Sequence, residues 1–215
     1  MRRLVKVSTV FLLALAAVLA CLLSASIYTY ARLTAETPIA RVSFTPEGQE
    51  RYLAHLRTGD RCEDRVLRVF GDQWRIDAEF LKWAYFASVL GFDSLYRLDR
   101  FQGRYSRIED ENSKPLLAYD LGRDTTVDVA AIAASLGGWN FLVDASYGSS
   151  TYQEIDADRV FYVFKTTTGI ITRSLPEGPA EEQLAAELAR SCTAGAGPWR
   201  RFTAWVDSAM RRLIA

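Results

Sequence analysis

At 215 residues, with 26 Lys and Arg against 26 Asp and Glu and 12% aromatics, the chain is long enough for one folded domain with a real core and too apolar for disorder. Its single histidine, His55, excludes a histidine-rich zinc or iron centre. Without the first 31 residues, 23 basic residues remain against 26 acidic ones, a balance that argues against nucleic acid as a partner.

Val7 to Ala31 (VSTVFLLALAAVLACLLSASIYTYA) runs for 25 positions without a charge, directly behind Arg2, Arg3 and Lys6. As a helix it is about 37 Å long at about 1.5 Å per residue, against a hydrocarbon core of about 30 Å, so the run predicts one membrane crossing. The basic head predicts a cytoplasmic N-terminus and an exported remainder. The expectation is a single-pass protein of a bacterial inner membrane with a periplasmic domain, its bilayer contact made through residues 7–31. Two rivals share this start: a signal peptide cleaved after a small-residue site such as Ser24-Ala25-Ser26, and a lipoprotein box Val18-Leu19-Ala20-Cys21. The run is long for a signal peptide, and Leu19 fits the lipoprotein box poorly.

Beyond the anchor the pattern changes to period two, the mark of half-buried strands. Val42 and Phe44 alternate with Arg41 and Ser43, and after a turn at Pro46-Glu47-Gly48 the alternation resumes at Tyr52, Ala54 and Leu56, which predicts a hairpin. A second strand pair follows, Arg65 to Phe70 and then Trp74 to Leu81 across a Gly71-Asp72 turn, with Trp74, Ile76, Ala78 and Phe80 facing a core. Trp83 to Leu90 (WAYFASVL) reads as a short buried helix, Leu95 to Tyr105 as strand and Glu109 to Asn112 as a solvated loop. Leu116 to Leu121 reads as strand. Thr126 to Leu136 has helical spacing with Gly137-Gly138 as its stop. Tyr147 to Thr151 reads as a loop, and Arg159 to Thr166 and Gly169 to Arg173 are strands joined at Thr167-Thr168-Gly169. The chain then becomes helical over Ala180 to Cys192 and Trp199 to Ile214. The fold class expected is α+β: anchor 1–31, a mainly antiparallel sheet domain 32–175 with an inserted helix, and a helical extension 176–215.

Candidate sites are few. Trp83, Tyr85, Trp139 and Tyr147 are the residues of a possible aromatic pocket for a lipid, glycan or small ligand. The last helix is amphipathic and basic: Trp199, Phe202, Trp205, Val206 and Leu213 form a stripe suited to lipid or to a partner helix, and the alternative is packing on its own domain. Cys62 and Cys192 would lie in an oxidising compartment, where a disulfide can persist; spacing alone does not establish the bond. Asp77 with Glu79, and Asp144, are the carboxylates that could be paired or buried, with surface charge as the plainer reading. Glu154, Asp156 and Asp158 alternate but lack the glycine and distal glutamate of a calcium loop, and Gly148-Ser149-Ser150 lacks the flanks of a nucleophile elbow. No catalytic residue, metal or cofactor is assigned.

The segments FGDQWRIDA (70–78), Leu81-Lys82-Trp83, LGFDSLYRLDR (90–100), Gly103-Arg104-Tyr105 and FLVDASYG (141–148) resemble a family of uncharacterised proteobacterial membrane-anchored proteins often labelled cation or multidrug efflux pump. The resemblance spans roughly Pro38 to Arg173 and leaves the helices after Pro179 as an addition. It implies an envelope location and assigns a role to no residue. The pump label conflicts with a single spanning run, because alternating access needs several. Three functions are therefore expected in descending order: an accessory or structural subunit beside a larger membrane assembly, a ligand-binding module, and a carboxylate enzyme.

Overall fold

The computed structural model describes residues 2–59, 64–84, 94–122 and 143–194, with only the backbone described for 2–5, 83, 143–146 and 191–194. Helix α1 (Arg2–Leu33) contains a 28-residue stretch, Lys6–Leu33, that is long and apolar enough to cross a membrane, and none of it is buried against the chain. After a link of three residues the first strand begins.

Nine strands follow among the described residues: β1 (Thr37–Gly48), β2 (Arg51–Thr58), β3 (Asp64–Phe70), β4 (Gln73–Trp83), β5 (Leu95–Arg104), β6 (Ala118–Asp120), β7 (Val143–Glu154), β8 (Arg159–Lys165) and β9 (Ile170–Pro176). They form two antiparallel sheets, ordered β3-β2-β1-β8-β9 and β6-β5-β4-β7. The sheets pack face to face, as period-two strands with one apolar face require. Trp74, Ile76, Ala78 and Phe80 of β4 are all at most 2% exposed, as their alternation predicts. Trp74 sits at the centre, its ring 5.9 Å from Phe44, 5.5 Å from Phe161 and 5.8 Å from Phe101. Phe44 and Phe161 belong to the first sheet and Phe101 to the second, so one indole ties the two sheets. The long sides of the sandwich are closed by polar contacts: the Tyr119 hydroxyl donates to the Arg68 carbonyl at 2.8 Å, while the Ile170 amide donates to Ser149 Oγ and Thr151 bonds Thr172 on the other side.

Several expectations are corrected. The Arg65–Phe70 and Trp74–Leu81 runs are strands but not partners: β3 pairs with β2, β4 pairs with β5 and β7, and the chain changes sheets at Gly71-Asp72. The crossing brings backbones so close that a Cβ at Gly71 would strike the Arg104 carbonyl and one at Gly103 the Phe70 carbonyl. The first hairpin forms as expected, but it turns at Gln49-Glu50, with Glu50 at φ 51°, and Pro46 lies within β1. Proline is tolerated there because β1 pairs with β8 only from Thr37 to Ser43, leaving one side of Pro46 without a ladder. The acidic run expected as a loop forms a one-turn-and-a-half helix, α2 (Ile108–Ser113), where Glu109, Asp110 and Glu111 favour the positive end of the helix dipole. Gly148-Ser149-Ser150 is strand, held by pairing with Glu79, Ala78 and Asp77. The Leu116–Leu121 strand shortens to β6, and Trp83 ends β4 instead of starting a helix. Ala84 is in no helix, and the rest of that expected helix, residues 85–90, and the Thr126–Leu136 helix lie outside the described residues. The β8–β9 hairpin and the helix α3 (Pro179–Ala194) agree with the sequence reading.

Trp74→Ala should cost about 3–5 kcal/mol of unfolding free energy, whereas Val66→Ala, at a side chain 58% exposed, should stay within about 0.5 kcal/mol. Denaturant titration of the detergent-solubilised chain measures both. Gly103→Ala should destabilise more than its one methyl suggests, since the Phe70 backbone must move.

Candidate functional site

β8 reads RVFYVFK and is buried on both faces after its first residue. A strand buried on both sides loses the alternating pattern and becomes a continuous apolar run. Phe161 and Val163 enter the sandwich core, while Val160, Tyr162 and Phe164 form a second cluster on the outer face with Ile171, Leu175 and Leu184. Leu184 and the fully buried Leu188 come from α3, which covers this part of the first sheet.

Burying Tyr162 forces its hydroxyl to find a partner. It donates to Glu181 Oε1 at 2.8 Å, and Arg41 Nε, from the neighbouring β1, donates to the same oxygen at 2.8 Å. Glu181 lies in the first turn of α3, where a carboxylate also suits the helix dipole. Burial alone would raise the Glu181 pKa, but hydrogen bonds from Arg41 and Tyr162 and the charge of Arg41 hold it below the usual carboxylate range. Burial and the bond to Glu181 push the Tyr162 hydroxyl well above its ordinary value. The trio is thus locked in one protonation state at neutral pH. It fastens α3 to the sheet and offers no group ready to exchange a proton.

Beside α3 the outer face of β1, β2 and β3 is open, forming a cleft of about 650 Å³ whose walls include Ser43, His55, Arg57, Asp64 and Val66. Arg41 and Arg57 are direct cross-strand neighbours. Like charges so placed repel, and each is offset by a carboxylate: Glu181 for Arg41 and, at 3.7 Å, Asp64 for Arg57. His55 is exposed, with its Nε2 3.1 Å from Thr45 Oγ1. A second cleft, about 540 Å³, opens at the end of the sandwich remote from α1, with Tyr52, Phe161, Glu154, Asp156 and Arg159 in its lining.

The residues singled out from sequence do not converge into one site among the described residues. Tyr147 is half-buried: its ring stacks on Phe80 at 6.2 Å and its hydroxyl donates to the Thr168 carbonyl. It serves the packing of β7. Trp83 is placed by its backbone at the end of β4, and Tyr85 and Trp139 lie outside the described residues, as do Trp199, Phe202, Trp205, Val206, Leu213 and Cys62. Cys192 lies on α3 with its side chain outside the description. Asp77 and Glu79 share the face of β4 opposite the core, but Arg75 holds Asp77 at 2.7 Å and Arg97 holds Glu79 at 2.6 Å. Asp156 and Asp158 form the turn between β7 and β8, where the Asp158 amide donates to Asp156. No group of three metal-binding side chains occurs among the described residues.

The Arg41–Tyr162–Glu181 trio escaped the sequence reading, because Arg41 lies 140 positions and Tyr162 19 positions from Glu181 and each looks ordinary in its own segment. The unbroken apolar run of β8 was the available signal: a tyrosine inside it implies a buried partner. No protein-family model, curated protein or solved structure matches the chain.

Tyr162→Phe should cost about 1–2 kcal/mol, since it leaves Glu181 with one donor fewer in a largely buried setting. Because the Glu181 pKa is lower folded than unfolded, its contribution to stability is present above the ordinary value of 4.5 and fades as pH falls through the depressed one. The melting temperature of the full chain between pH 7 and 3 should therefore fall more steeply below pH 4.5 than that of Glu181→Gln, which is less stable at pH 7.

Proposed function

We propose that this chain is a membrane-anchored, non-catalytic interaction module: an accessory or structural subunit held in a bacterial inner membrane by α1, with its N-terminus cytoplasmic and its sandwich periplasmic. The observation that carries this reading is α1 itself, free of charge over residues 7–31 and with none of its apolar span buried in the chain, leading through three residues into a folded β domain. Such a helix needs lipid or a partner helix around it. The domain's best-placed carboxylates support the non-catalytic part: Asp77, Glu79 and Glu181 are each held by an arginine, an arrangement that orders a surface, and at Glu181 it lowers basicity where a general base would need it raised.

A ligand-binding module is the second reading, favoured by the cleft of about 540 Å³ lined by aromatic Tyr52 and Phe161 and by charged Glu154, Asp156 and Arg159. The label attached to the family that the chain resembles adds nothing to either reading.

Co-purification of the tagged full-length chain from native membranes, beside a version whose residues 7–31 are replaced by an unrelated spanning helix, tests the proposal. A stoichiometric partner that disappears with the swap supports the subunit reading. Recovery of the chain alone in both preparations removes that support and makes the Tyr52–Phe161 cleft the next target.

A further inference from the structure

Resting on the membrane reading above, we infer that the sandwich stands end-on upon the bilayer, seated on lipid headgroups through the tip of the β8–β9 hairpin, Thr166 to Gly169. From Leu33, the last residue of α1, to Thr37, the first of β1, the chain can reach at most about 14 Å even when fully extended. Thr37 pairs with Lys165, the last residue of β8, so the end of the sandwich nearest the anchor is the end bearing this hairpin tip. The two are also joined directly. Thr167 Oγ1 donates to the Leu33 carbonyl at 3.2 Å, satisfying an acceptor that the end of α1 leaves open, and Arg173 grips Glu36 at 2.8 Å in the connecting segment.

The tip is itself braced, which makes its position a property of the fold. The Thr166 amide donates to the Gly169 carbonyl and the Tyr147 hydroxyl, from β7 in the other sheet, donates to the Thr168 carbonyl, both at 2.8 Å. Lys165 Nζ reaches across to the Ser94 carbonyl at 3.2 Å, tying the two sheets at this end. Anchor, hairpin tip and both sheets therefore move together.

Chemistry favours the same seat. The tip, three threonines and a glycine, places no carboxylate against an anionic headgroup layer, whereas Glu154, Asp156 and Asp158 occupy the opposite end, one strand length or about 20 Å away at about 3.3 Å per residue. Tyr28 and Tyr30, 51% and 71% exposed in the last turns of α1, suit the interfacial depth just below such a seat. End-on seating directs the cleft at Tyr52 and Phe161 away from the membrane.

The test uses the full chain with Cys21, Cys62 and Cys192 changed to serine, reconstituted into phosphatidylcholine–phosphatidylglycerol vesicles containing headgroup-nitroxide lipid. A fluorophore is placed in turn at Tyr30→Cys, Thr168→Cys and Asp158→Cys. The seat predicts strong quenching at 30 and 168 and at least about threefold less at 158. Quenching at 30 with none at 168, or equal quenching at 168 and 158, overturns the end-on seat while leaving the anchor intact. No quenching at 30 overturns the membrane reading itself, and the seat with it. Thr167→Val, which removes the bond to Leu33, should weaken the difference between 168 and 158 without reducing quenching at 30.

Discussion

Everything in this domain depends on two sheets meeting face to face around Trp74. A single antiparallel sheet with one apolar face cannot remain exposed in water, and the inner faces of these sheets satisfy one another by burying the aromatic group of Phe44, Trp74, Phe101 and Phe161. Edge and tilted ring contacts of this kind add directional preference to plain area burial. The close crossing at Gly71 and Gly103 follows from that demand, because the chain must pass from one sheet to the other without opening the core. Glycine is required at both places by proximity, since neither carbonyl could retreat without breaking a strand.

The first sheet carries a second obligation. Its strand β8 is apolar on both faces, so the outer face also needs a cover, and α3 supplies it with Leu184 and Leu188. Helix burial brings the polar trio with it. Tyr162 cannot be buried without an acceptor, Glu181 cannot be buried without a donor or cation, and Arg41 completes the set. The helix therefore has a defined position on the sheet, and the cleft beside it is what remains of the outer face that α3 does not reach. The paired charges there order the surface, and the same holds for Asp77 and Glu79 on the other sheet.

Anchor and domain form the third dependency. A long flexible linker would leave the sandwich free to take any orientation over a membrane, but three residues, one threonine bond and one ion pair do not. The orientation of the domain is then inherited from the direction of α1, and strand order decides which end faces which way. The Tyr52–Phe161 cleft lies at the end of the sandwich far from α1.

The sequence by itself determined the apolar α1, the antiparallel strand content, the inward row Trp74, Ile76, Ala78 and Phe80, and the β8–β9 hairpin, because each rests on a local signal: a long charge-free run, period two, or a tight turn. Tertiary structure alone decided that β3 and β4 part into different sheets, that Ser149 and Ser150 lie in a strand, and that Arg41, Tyr162 and Glu181 meet. Those outcomes rest on partners far away in the chain. A strand's periodicity reports that one face is buried, but it carries no record of which strand lies alongside. A charged residue gives no sign of its partner until the fold brings one within about 3 Å.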